Sequence, residues 1–190
     1  MKISAILLAA GLSKRMGRDK LLLDYNGKSL LQHSVDLLSG LPVYERIVIT
    51  SKTRYESVIL PSEISALIND KPETGISGSI KICLEAAKGT HYLFLNADQP
   101  KLTLADILPL IESALANQSK IVFPIIDSKP TSPAIFPESY RLELLNLSGD
   151  SGGRIVRDAH PELCLAVTPA LPVNFEDIDN KGDYQDLFKE

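Results

Sequence analysis

Ile3-Ser4-Ala5-Ile6-Leu7-Leu8-Ala9-Ala10-Gly11-Leu12-Ser13-Lys14-Arg15-Met16-Gly17-Arg18-Asp19-Lys20 is the stretch from which the rest of the chain can be placed. The run from Ile3 to Ala9 is apolar on both sides and of strand length, so it reads as a fully buried strand. It ends abruptly in a glycine-containing loop. Lys14, Arg15, Arg18 and Lys20 put four cations within seven residues of a chain whose net charge is −4. A basic loop leaving the carboxyl end of a buried first strand is where an open α/β sheet receives an anionic ligand. Glycines there let backbone N–H groups approach phosphate oxygens. A solvated turn that happens to be basic is the other reading.

Outward from this stretch, strand-like and helix-like segments alternate. Leu21 to Tyr25 reads as a short extended segment closed by the Asn26-Gly27 turn, and a helix is predicted from Ser29 to Ser39, ended by Gly40 and Pro42. Strands are predicted at Arg46–Thr50, Ala66–Ile68, His91–Leu95, Ile121–Ile125 and Leu163–Val167, with a short extended run at Ala134–Phe136. A weak helix lies between the strands at 46–50 and 66–68. Further helices are predicted over Ile76–Ala87, Leu104–Ala116, Glu138–Leu147, the stretch up to Ala159, and from Asp183 onward. This order predicts one domain over residues 1–190, a three-layer αβα sandwich around a mostly parallel sheet.

Composition narrows the classes. The mildly acidic balance argues against bulk binding of nucleic acid. The opening apolar run is too short for a signal or membrane helix, so a cytoplasmic location with no membrane partner is expected. Cys83 and Cys164 are far apart and read as small core residues, and no Cys or His spacing suits a metal.

Three other stretches carry chemistry. His91-Tyr92-Leu93-Phe94-Leu95-Asn96-Ala97-Asp98-Gln99-Pro100 delivers Asp98 to the end of a buried strand that Pro100 stops. Thr103 and Asp106 can cap the following helix between them, leaving Asp98 for a divalent cation shared with phosphates. Gly75-Ile76-Ser77-Gly78-Ser79-Ile80 opens a helix, and Ser77 either caps it or offers a polar ligand its hydroxyl. Gly149-Asp150-Ser151-Gly152-Gly153-Arg154 is a second glycine-rich loop, which a flexible turn between helices would also explain. Asp177 and Asp179, two apart on an extended segment, point the same way.

The first loop lacks the Gly-x-x-x-x-Gly-Lys-Ser/Thr pattern and the Gly-x-Gly-x-x-Gly pattern. Leu8-Ala9-Ala10-Gly11-Leu12-Ser13-Lys14-Arg15-Met16-Gly17-Arg18-Asp19-Lys20 instead resembles the signature of the molybdenum cofactor cytidylyltransferase family, within the MobA-like nucleotidyltransferase superfamily. Matches run from the first strand to Asp179. The resemblance implies a Rossmann-like nucleotidyltransferase fold and a nucleotide site at Leu8, Ala9, Ala10, Gly11, Ser13, Arg15, Lys20, Gly75 and Ser79. It implies an acceptor site at Ser132, Gly149, Asp150, Gly152 and Arg154, and Mg²⁺ on Asp98 and Asp179. The catalytic group would be Arg15, Lys20 and Asp98. Thr131-Ser132-Pro133 stands where the family has Gly-His-Pro, and Gly153 where it has Ala.

The function expected from these residues is in-line attack by an acceptor phosphate on the α-phosphorus of a nucleoside triphosphate, with pyrophosphate leaving. Such a step needs positioning and charge neutralisation rather than a protein nucleophile. The resemblance implies CMP transfer from CTP to molybdopterin, with a molybdoenzyme as recipient of the product. The alternatives are transfer to a sugar or polyol phosphate, and a non-catalytic accessory that holds the cofactor.

Overall fold

The computed structural model describes residues 1–12 and 17–188. In chain order the strands are β1 (Ile3–Ala9), β2 (Asp24–Tyr25), β3 (Lys28–Ser29), β4 (Glu45–Thr50), β5 (Ile64–Ile68), β6 (His91–Asn96), β7 (Ile121–Ile126), β8 (Lys129–Pro130), β9 (Ala134–Pro137) and β10 (Cys164–Val167). The helices are α1 (Leu30–Gly40), α2 (Lys52–Tyr55), α3 (Ile76–Ala86), α4 (Leu104–Ala116), α5 (Arg141–Leu145), α6 (Gly153–Ala159) and α7 (Lys181–Asp186). The main sheet runs β10-β7-β9-β6-β1-β4-β5, with β8 folded back on β7. Its long neighbours pair in parallel, and β9 alone on that path runs against both of its neighbours. This is a Rossmann-like α/β fold.

Alternation along β1 builds the three layers. Ile3, Ala5, Leu7 and Ala9 pack with Leu31, Val35 and Leu38 of α1 and with Ile107 and Leu110 of α4. Ile6 turns to the other face, with Ile80 and Leu84 of α3, Leu144 of α5 and Val156 of α6. A strand buried on both faces has no polar alternation, which is why Ile3–Ala9 is apolar but for the small, buried Ser4. Ser29 starts α1 by accepting from the Gln32 N–H at 3.1 Å. At α4 the Thr103 N–H and hydroxyl both donate to Asp106, at 2.9 and 2.7 Å, so that pair serves the helix and not the ligand edge.

The structure departs from expectation in several short segments. Lys20–Leu22 is a 3₁₀ turn rather than an extended one, because Asp19 accepts from the Leu21 N–H at 3.2 Å. Glu138–Leu147 is divided: Glu138–Tyr140 is a 3₁₀ turn, and buried Tyr140 (φ −91°, ψ 4°) turns the chain before α5. Leu163 belongs to the turn before β10, which is only four residues long. The C-terminal α7 starts at Lys181, since Asn180 caps it and Asp183 sits in its first turn. Cys83 is buried and Cys164 half-buried, both unpaired. Among the described residues, no helix is long and apolar enough to cross a membrane.

Candidate active site

Two adjoining clefts open where β1 and β6 end. The first, of about 420 Å³, is lined by Ala10, Gly11 and Leu12 of the loop after β1, by Glu73, Gly75 and Ser79 at the start of α3, and by Asp98. The second, of about 410 Å³, takes its walls from Phe94, Ser132, Phe136, Gly152, Arg154 and Arg157. Leu8, Ile76, Asn96 and Asp150 line both clefts, so a molecule in one meets a molecule in the other across these four residues.

Gly75 is the hinge between them. It caps α3 with φ 78° and ψ −173°, a conformation all but closed to side-chain-bearing residues. A Cβ there would strike the Gly149 carbonyl and lie 2.6 Å from Asp150 Oδ1. The second glycine loop thus rests directly on the start of α3, tied by the Ser77 N–H donating to Gly149 O at 3.2 Å. Ser77 is therefore not the cap; it lies inside the first turn, and its hydroxyl donates to Thr74 O at 3.4 Å. Ser79 is held by Asn69, whose amide donates to its hydroxyl at 3.0 Å.

Of the three charged groups joined here, only Asp98 lines the first cleft; beside it the Lys20 ammonium bridges Asp98 Oδ2 at 2.8 Å and Asp179 Oδ1 at 3.2 Å, and neither Lys20 nor Asp179 is part of that lining. The Ile178 N–H donates to Asp98 O at 2.9 Å, and this bond brings the C-terminal segment alongside β6. Burial would lower the Lys20 pKa, but the charges and hydrogen bonds of Asp98 and Asp179 outweigh it and hold the ammonium above its ordinary value. Neighbouring Asp177 is pushed up to about 7, by dehydration first and then by Asp98 and Asp179. Its surface is exposed, so solvent screens part of that shift and the two like charges are the firmer cause.

The donor set suits a hard divalent cation. Asp98 Oδ1 is buried with no hydrogen-bond partner among the described residues, and two carboxylates converge on one positive charge. No group of three or more His, Cys, Asp or Glu is arranged for a metal among the described residues. Two protein carboxylates fit Mg²⁺, which is commonly held by one or two carboxylates plus phosphates and water.

In the second cleft, the Ser132 hydroxyl accepts from Asn96 Nδ2 at 3.1 Å. Its carbonyl accepts from Gln99 at 3.3 Å, and the same Gln99 amide donates to Phe175 O at 2.8 Å. Arg157 is buried with its guanidinium 4.9 Å from the Phe123 ring and paired to Asp158, whereas Arg154 is exposed.

Of the residues singled out from sequence, Leu8, Ala10, Gly11, Gly75, Ser79 and Asp98 line the first cleft, and Ser132, Asp150, Gly152 and Arg154 the second. Ala9 does not: alternation turns its side chain into the α1–α4 layer, leaving only its backbone near the ligand edge. Gly149 acts through its carbonyl on α3. Ser13 and Arg15 lie outside the described residues. Sequence reading missed Asn96, Gln99, Glu73 and above all Arg54, a buried arginine on the one-turn α2. Asn96 interrupts an otherwise apolar strand, a usable signal; Arg54 carries none.

A sheet edge that carries a glycine loop, a lysine and two convergent carboxylates beside paired clefts is chemically suited to a phosphate-bearing ligand. The sequence pattern of the MobA-like NTP transferase domain matches residues 5–163, and the chain belongs to that family. It is 33% identical over 123 residues to a probable molybdenum cofactor guanylyltransferase of Rhodopirellula baltica, covering 62% of this chain and 58% of that protein. It is 31% identical over 140 residues to the molybdenum cofactor cytidylyltransferase of Escherichia coli, covering 67% of this chain and 71% of that protein. The match thus spans less than two thirds of the length of the Rhodopirellula relative. A nucleotidyl transferase of known structure from Methanothermobacter shares the fold at TM-score 0.83 and 21% identity, over 99% of this chain and 96% of that one.

Proposed function

We propose that this chain transfers CMP from CTP to the phosphate of molybdopterin and releases pyrophosphate. The observation that carries the reading is the pair of clefts meeting at Leu8, Ile76, Asn96 and Asp150, with Asp98 at the floor of the first. The triphosphate would occupy the first cleft and the acceptor the second. An acceptor phosphate oxygen then attacks the α-phosphorus while the bond to the pyrophosphate oxygen breaks. Lys20, whose ammonium its carboxylate neighbours favour, would neutralise the negative charge that grows on the leaving group. Peptide N–H groups near Gly11 would bind phosphate oxygens, and Arg15 is assigned to the leaving phosphates. Asp98 and Asp179 would hold Mg²⁺, which when bound neutralises phosphate charge.

CTP is preferred over GTP on the strength of Ala10. Ala10 lines the first cleft and is buried, and on this reading its methyl group would take room that a glycine would leave for a larger base. One methyl is worth only about 1–3 kcal/mol of discrimination, so other contacts share the task. In the second cleft, Phe94 and Phe136, set edge to face at 64°, give an apolar wall for a ring system, and Arg154 a cation for a phosphate tail. The test is to incubate the protein with Mg²⁺, molybdopterin and either CTP or GTP, reading pyrophosphate and labelled dinucleotide. Faster turnover with GTP overturns the base assignment. No dinucleotide, alongside turnover of a sugar or polyol phosphate, overturns the acceptor.

A further inference from the structure

Arg54 takes no part in the chemistry above, yet it is 3% exposed and its guanidinium faces the loop that receives the triphosphate. Nη1 donates to Ala9 O at 2.5 Å and Nη2 to Gly11 O at 2.7 Å. Nε and Nη2 donate to the two carboxylate oxygens of Asp19, at 2.7 and 2.8 Å. One planar fork therefore grips the chain as it leaves β1 and again just before Lys20. A lysine, with a single compact charge, has no such reach.

The direction of these bonds matters more than their number. In a trans peptide the carbonyl and the next residue's N–H point opposite ways. With the Ala9 and Gly11 carbonyls turned back onto Arg54, the N–H groups of Ala10 and Leu12 point away from it. Ala10, Gly11 and Leu12 are the residues that line the first cleft. At the other end, Asp19 also accepts from the Leu21 N–H at 3.2 Å and so sets the turn carrying Lys20 to Asp98 and Asp179. A shielded ion pair of this kind adds little net stability over apolar packing. What it supplies is a defined loop.

We propose that Arg54 is a positioning residue for the triphosphate: it orients the Ala9–Ala10 and Gly11–Leu12 peptides and seats Lys20 without touching the ligand. The proposal rests on the nucleotidyl-transfer reading. It is tested by calorimetric titration of CTP and GTP, with Mg²⁺, into the wild type, Arg54→Lys and Arg54→Ala, and by steady-state KM values for both substrates. Arg54→Ala is expected to weaken triphosphate binding about 30-fold, the equivalent of losing a charge-assisted hydrogen-bond network. The KM for the acceptor should stay unchanged, and Arg54→Lys should recover only part of the loss. Added guanidinium ion should restore triphosphate binding to Arg54→Ala, which a generally damaged fold would not show. If Arg54→Ala does not fold, Asp19→Asn and Arg54→Lys carry the same measurements, with smaller losses expected. Unchanged triphosphate affinity in the variants overturns the proposal. So does an equal loss for both substrates that guanidinium fails to reverse. Failure of the underlying reading shows differently, as a wild-type chain that binds neither CTP nor GTP, and takes the proposal with it.

Discussion

Gly75→Ala should destabilise the protein by about 2–4 kcal/mol, and the sum can be worked from local geometry. At φ 78° and ψ −173° an L-residue is held in a region that costs about 1–3 kcal/mol. The new methyl would strike the Gly149 carbonyl and sit 2.6 Å from Asp150 Oδ1, so the second glycine loop must retreat. Retreat stretches the 3.2 Å hydrogen bond from the Ser77 N–H to Gly149 O, worth about 1 kcal/mol. For a domain of this size the total corresponds to a fall of about 4–16 °C in Tm. Gly149→Ala is the control: its φ is +58° but nothing lies within 4 Å of an added Cβ, so it should cost only about 1–2 kcal/mol. Urea denaturation of both variants with a shared m-value provides the comparison. If Gly75→Ala proved as stable as Gly149→Ala, the direct seating of one loop on the other would be wrong.

Asp98→Asn should keep the fold and lower pyrophosphate release by about two to three orders of magnitude, as for loss of a main electrostatic group; near-normal rates at saturating Mg²⁺ would remove its assignment as metal ligand. Gly153→Ala would place a methyl 2.8 Å from the buried Phe136 ring, and the overpacking should cost about 1–3 kcal/mol. Because Phe136 lines the second cleft, the KM for the acceptor should rise while that for CTP holds, and steady-state kinetics on both substrates decide. Burial of His91 holds its pKa below the usual 6.5, with the hydrogen bond to the Gln118 carbonyl and, more weakly, Glu138 pulling the other way. The unfolded chain therefore binds more protons in the window from 6.5 down to the folded pKa, and stability falls as pH drops through it. His91→Gln should flatten that dependence, and urea midpoints on either side of the window will show whether it does.

The framework of the sheet was legible because its strands are buried on both faces: Ile3–Ala9 has only the small, buried Ser4 as a polar position, and Tyr92–Leu95 has no charged one at which to mistake it. Asp98 was legible for the same reason, as the first carboxylate after an apolar run. Direction of pairing was not. Ala134–Phe136 reads as an extended run whichever way it points, and only its partners His91 to Phe94 show that β9 is antiparallel. Arg54 escaped because an arginine on a single helical turn looks like any solvated cation; its burial depends on Asp19, thirty-five residues earlier in the chain. Ala9 is missing from the lining of both clefts because neighbouring residues on a strand belong to opposite faces, and a motif read as a string ignores that.

The reversal of β9 settles which end of that strand faces the ligand edge. Parallel strands meet ligand where they finish; β9 meets it where it begins, with Ala134 beside Phe94 and Ser132 just beyond, against Asn96. On the proposed reading, the acceptor would meet a hairpin crown at Ser132 and the loop and first turn that open α6, at Asp150, Gly152 and Arg154. The crown can be lengthened, shortened or rewritten without altering the exit of β1 or β6, so the choice of acceptor would be open to change there while the triphosphate cleft stays as it is. A library confined to residues 127–133 should therefore exchange one acceptor for another while the same triphosphate continues to be used.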